Sequence, residues 1–197
     1  MDSVGLPLPD GSWPDAPGSA GALEGLRRLC NSVNREHGAD AWRSVGELSS
    51  WLRAEGYATV RPTRDDLGVL RHLRQALWES MTKRSLQPLD GIVDTVVLTP
   101  VIADGTMTLR GSSTAADVVG AALFEAILCA QHDGSWGRLK ACQHCHWVFY
   151  DGSRNRTGRW CSMGACGSRQ KARAYRQRHA RVSAAASVGP STTAARR

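Results

Sequence analysis

The chain has 197 residues, 42% of them hydrophobic, and a formal net charge of +7. That length suits one ordinary domain with a small appended module, and that apolar content excludes a chain without a packed core. The charge is lopsided: residues 138–181 hold eleven Lys/Arg and one acid, Asp151, for a local +10, while the remainder sums to −3. A basic end on a mildly acidic body points to a polyanionic partner for that end.

Residues 1–20 are rich in Pro, Gly, Ser and Asp and read as a flexible leader. They have neither the basic start nor the apolar core of a secretory signal. No apolar run approaches the roughly 20 residues of a membrane helix. The chain is therefore expected in the cytoplasm, with no membrane partner. In that reducing setting clustered cysteines favour a metal over disulfides.

A body of helices follows over 21–135. Leu23, Leu26, Cys30 and Val33 recur at helical spacing. Ser44 and Glu47 form a capping-box pair ahead of Val45, Leu48 and Leu52, and Gly56 is a natural stop. Thr63 caps a third helix with the stripe Leu67, Leu70, Leu73, Leu77 and Met81, and its arginines read largely as a solvated face. Asp65 and Asp66 read as first-turn charges that complement the helix dipole. The β-branched stretch 93–102 pairs with 106–110 as a hairpin about Asp104-Gly105, and Pro100 directs its strand to a sheet edge. Val119, Leu123, Ile127 and Ala130 line a fourth helix. Cys30 and Cys129 are expected as small buried hydrophobes.

After a break at 132–137 comes the strongest signal in the chain. Cys142-x2-Cys145 is followed after fifteen residues by Cys161-x4-Cys166. A C-x2-C knuckle points two sulfurs into one concavity, and a second pair can complete a tetrahedral shell about one structural zinc ion. Four protein ligands leave no open position for catalysis. An iron–sulfur cluster uses the same ligand type and stays open as an alternative. His144 and His146 flank the knuckle but are not needed as ligands. Between the pairs, residues 146–151 suit a strand and 152–158 a turn, with Arg159 and Trp160 leading back. Ser162 can cap a helix from Met163 to about Arg181. Trp147, Phe149 and Trp160 can pack round the ion, and Ala172 and Tyr175 can dock the helix onto the strands. The unit spans 138–182, too small to fold on a core of its own. Residues 183–197 read as a disordered tail. The fold class is α+β, mainly α: an α-rich body with a small β-hairpin, then a treble-clef-like zinc finger.

The positive charge falls on two elements of that finger. Arg169, Arg173 and Arg176 form one helix stripe, Lys171 and Arg178 a second, and Arg154, Asn155, Arg156 and Arg159 sit at the turn. Arginine's planar fork suits phosphate, so these nine residues are candidate contacts to double-stranded DNA, with RNA not distinguished. An acidic protein partner is the alternative. In the body, Asn31 lies on an apolar helix face and is the one candidate for a ligand, with backbone the competing partner. No nucleophile elbow, phosphate loop, HExxH or dinucleotide glycine pattern occurs, and His37, His72 and His132 are isolated, so no enzyme is expected.

The run from Cys142 through Trp147, Phe149-Tyr150-Asp151, Ser153-Arg154-Asn155-Arg156, Arg159-Trp160-Cys161-Ser162-Met163 and Cys166-Gly167 to Arg169, Lys171, Arg173 and Tyr175-Arg176 resembles the CGNR zinc finger. The family's Cys-Gly-Asn-Arg signature is Cys166-Gly167-Ser168-Arg169 here, so the Asn amide is lost. The body more distantly resembles the ABATE domain that precedes this finger in bacterial two-domain proteins, through Asn31-Ser32, "GELSSWL", "LRHLRQAL" and the hairpin-then-helix order. The resemblance implies a stress-linked transcription regulator whose finger holds DNA and whose body senses a small-molecule effector or forms a homodimer.

Overall fold

The computed structural model describes residues 22–187; the expected leader and most of the expected tail lie outside them. Helix α1 (Ala22–Asn31) ends before Val33, which instead begins a two-residue ribbon of β1 (Val33–Asn34) and β2 (Ala39–Asp40). Helix α2 (Val45–Ala54) carries the expected box: the Ser44 hydroxyl accepts from the Glu47 amide, and the Glu47 carboxylate accepts from the Ser44 amide. It stops at Gly56, whose φ of 94° is open only to a residue without a side chain.

Helix α3 (Arg64–Lys83) is capped by Thr63, and its five predicted stripe residues are all buried. Asp66 does more than complement a dipole. One carboxylate oxygen closes the Thr63 box and the other accepts from the Ala116 amide at 2.8 Å, joining the starts of two helices. Strands β3 (Leu98–Ala103) and β4 (Thr106–Gly111) pair antiparallel, Ile102 opposite Met107, about the expected Asp104-Gly105 turn with φ of 50° and 74°. The expected strand start at 93 is a 3₁₀ turn, Val93–Thr95.

Helix α4 (Ala115–His132) runs through the centre, against α1, α3 and β4. It is long and apolar enough by length and composition to cross a membrane, which the apolar runs in the sequence did not suggest, but 61% of it is buried inside the molecule. Cys129 falls on its exposed side and is not the buried hydrophobe expected, whereas Cys30 is fully buried. The helical period explains this: Ala126, Ile127 and Ala130 take the inward positions, and Leu128 and Cys129 turn outward.

Arg74 departs from the expected solvated face. It is buried, forks onto Asp40 at 2.8 and 2.6 Å, donates to Ser32 and lies 4.4 Å over the ring of the fully buried Trp42. A desolvated guanidinium needs such a set of partners.

After a tight turn at Gly134, strands β5 (Leu139–Ala141) and β6 (Val148–Tyr150) pair antiparallel. This is a further correction. The predicted strand 146–151 finds its partner before the knuckle, while Arg159-Trp160 forms no strand. Leu139 and Val148 are buried in the same core as α1, α3 and α4. The expected division between 135 and 138 is thus a turn in the chain's course and not a gap in its packing. A wide helical turn (Met163–Gly167) leads into α5 (Ser168–Ser187), which runs past the position 183 where a tail was expected.

Candidate metal centre

The knuckle between β5 and β6 is built by main-chain bonds. The Cys142 amide donates to Trp147 O at 2.8 Å and the His146 amide to Cys142 O at 3.0 Å. His146 takes a φ of 64° to close the turn. The second cysteine pair arrives from the other side. The Gln143 amide donates to Arg159 O at 3.1 Å, Ser162 Oγ caps the wide turn by accepting from Ala165, and the Gly167 amide returns to Ser162 O.

These elements bring Cys142, Cys145, Cys161 and Cys166 together, every sulfur within 4.8 Å of every other. Three edges measure 3.5, 3.6 and 3.6 Å. A zinc ion at about 2.3 Å from four thiolates sets edges of about 3.8 Å; a disulfide needs about 2.05 Å. The sulfurs therefore surround a space for a single ion, tighter than a multi-atom iron–sulfur core requires. Neither His144, whose ring meets the Gln170 amide, nor His146, whose ring lies edge-on to Trp78, joins the cluster. Phe149 is buried against the cysteines, and Trp147 and Trp160 pack partly buried around them, as expected.

The crowding of the four sulfurs shows why an ion belongs there. Cys142 is held far below the usual thiol range by hydrogen bonds from Cys145 and Cys161. Cys145 is pushed up to about 12, first by its bond to Cys142; Cys161 is raised by Cys142 and Cys145, and Cys166 by burial. Four thiols this close cannot all ionise against one another, and a divalent cation supplies the charge that lets them.

A buried ion pair, not foreseen from sequence, holds the loop after β6. Lys140 Nζ meets Asp151 Oδ2 at 2.6 Å, with both side chains buried, and also donates to the carbonyls of Arg156 and Gly158. Asp151 in turn accepts from the amides of Ser153 and Gly158. Burial alone would raise the Asp151 carboxyl, but Lys140 and these donors hold it well below the carboxylate range. Gly158 approaches so closely that an added Cβ would fall 2.7 Å from Asp151 Oδ1. The Asp-Gly-Ser sequence at 151–153 is the local signal for this turn; its partner Lys140 lies on another strand.

The remaining expected residues separate into two groups. Arg154, Asn155, Arg156 and Arg159 are exposed on the returning loop, although Arg156 also donates to Gly134 O at 3.1 Å. Arg169, Lys171, Arg173, Arg176 and Arg178 are exposed on α5. Ala172 and Tyr175 do not dock: Ala172 is exposed, and Tyr175 is 57% exposed with its ring beside His179. The helix leaves the finger after its first turns, and residues 171–180 are exposed on every side. Asn31 is buried, and its carboxamide donates to Val148 O and accepts from Val148 N, both at 2.8 Å. Backbone, the competing partner, occupies the amide. Ser168, at the family's Asn position, donates its hydroxyl to Met163 O at 3.1 Å and so still closes the turn.

Residues 138–179 match the model of the CGNR zinc finger; the match covers β5, β6, the cysteine centre and the start of α5 and does not reach the helical body. No curated protein matches the chain. With its four cysteines placed to hold one zinc ion, the C-terminal part of this chain is similar to the CGNR zinc finger over residues 138–179.

Proposed function

We propose that the chain is a DNA-binding transcription regulator of the cytoplasm, not an enzyme, in which the finger holds duplex DNA and the ABATE-like body senses an effector or pairs two copies. The observation that carries this reading is α5: its sequence holds six cations and no acid, residues 171–180 are exposed all round, and its start is anchored to the metal centre. A free-standing basic helix of this kind can enter a groove without unfolding a packed face. Arg154 and Arg159 on the adjoining loop extend the same charge.

The test is fluorescence anisotropy of labelled duplex with the zinc-loaded full chain at two salt concentrations. Binding should weaken steeply with salt, because each phosphate that the protein neutralises releases counterions. Arg173→Ala with Arg176→Ala should keep one zinc per chain, lower affinity across sequences and reduce the salt slope by about 2, roughly one for each arginine removed. Unchanged affinity would remove α5 from the interface. Stronger binding to an acidic polypeptide than to duplex would favour a scaffold that grips an acidic protein.

A further inference from the structure

A cleft of about 760 Å³ lies between the C-terminal end of α3 and the finger, bordered by Thr82 and Arg84 on one side and by Gln143, His146, Thr157 and Arg159 on the other. We propose that this cleft binds a small phosphate-bearing ligand between body and finger, a site additional to the DNA-facing helix.

Three observations support the ligand class. The full lining contains no carboxylate, while it includes arginines from both walls and amide, hydroxyl and imidazole groups that can donate to oxygen. Its two outermost cations are free to act. Arg84 and Arg159 have no side-chain hydrogen bond or ion pair among the described residues, whereas Lys140 at the floor is spent on Asp151 and Arg156 on Gly134. Arg84 is also presented unusually, in the left-handed region at φ 54°, where α3 ends and the chain turns away. Such a conformation is uncommon for a residue with a side chain.

Shape decides between a small ligand and duplex. A volume near 760 Å³ falls in the range of small-molecule sites, roughly 300–1,000 Å³. The recess is concave and walled by two elements, whereas the exposed α5 is convex and suits a groove. Two arginine forks facing one recess fit the oxygens of a phosphate monoester better than a lone carboxylate. Because one wall belongs to the body and the other to the loop that carries Arg154 and Arg159, an occupant would bridge the two parts and compete for Arg159.

The experiment titrates the zinc-loaded full chain with inorganic phosphate and with adenosine monophosphate, at constant ionic strength, and follows backbone amide shifts by NMR. Sodium chloride replaces phosphate in the control. Saturable shifts at Gln143, Thr157, Arg159 and Arg84, absent from the control, are expected. Arg84→Gln should weaken binding about tenfold, the loss of one charge-assisted hydrogen bond, and Arg169→Gln should leave it unchanged. Shifts confined to α5, or an Arg84→Gln protein that binds phosphate like the parent, would overturn the proposal. So would a cleft that responds to duplex but to neither small phosphate, which would make it part of the nucleic-acid path. Duplex affinity measured separately keeps the two readings distinguishable.

Discussion

Single residues decide how the finger is held. Asn31 stands in for a strand edge, satisfying the amide and carbonyl of Val148 from a helix 117 positions away. Asn31→Ala leaves both of those buried groups without partners, which should cost about 2–4 kcal/mol in urea denaturation. Asn31→Asp should not rescue it, because a carboxylate can accept from Val148 N but faces Val148 O with no donor; an aspartate variant as stable as the parent would discount this bond. Asp151 and Asp66 raise a pH question. Each is held below the usual carboxylate value despite burial, which alone would raise it: Asp151 by Lys140 and amides, Asp66 by the Thr63 hydroxyl and the Ala116 amide. A lowered folded-state pKa stabilises above the unfolded value, about pH 3.9, and that contribution is lost as pH falls through the folded value. Stability should therefore be level from about pH 5 to 7 with respect to these groups and fall below about pH 4. In Asp151→Asn the Lys140 ammonium is left buried without its counterion. This should cost about 3–5 kcal/mol at neutral pH and flatten the acid limb; a variant with the parent's acid profile would show that the pair contributes nothing.

At the scale of elements, the helices were legible where local chemistry specifies them. The boxes at Ser44 and Thr63 and the stripes of α3 and α4 depend on neighbours three and four positions apart, and each stands where the sequence places it. Strand pairing was less legible, because the segment 146–151 shows that it is extended but not which segment it will join. The cysteines give a direct check on helix orientation. Cys129 is exposed, whereas Cys30 is fully buried with its thiol pushed up to about 12 by burial, which outweighs the lowering by Arg35 and Arg74. A thiol reagent applied to the native zinc-loaded chain should modify one site, Cys129, and mass spectrometry should find Cys30 unmodified until the chain unfolds. Rapid modification of Cys30 would contradict this packing. The opposite exposure for α5 follows from its composition: with few apolar side chains from 168 to 180, it has nothing to bury.

For the molecule as a whole, the metal centre and the helical body share one support. Leu139 and Val148 lie in the core formed by α1, α3 and α4, the Trp78 indole donates to His146 O at 2.9 Å, and Asn31 clasps β6. Cys145→Ser should therefore release the ion and also lower the thermal midpoint of the whole chain, read by circular dichroism of its helices. The sequence alone suggests a body that stays folded without the finger. A helical transition unmoved by the substitution would support that simpler picture. By itself the sequence determined the ligand set of the metal centre, the caps and stripes of the main helices, and the concentration of positive charge on the finger. Those features depend on residue identity and short spacing, which a linear chain states directly. Only the tertiary structure decided that β5 pairs with β6, that Arg74 and Lys140 are buried on carboxylates, that Cys129 faces out, and that Asn31 spends its amide on backbone. Each of these depends on which distant surfaces meet when apolar area is removed from water, and no local pattern carries that information.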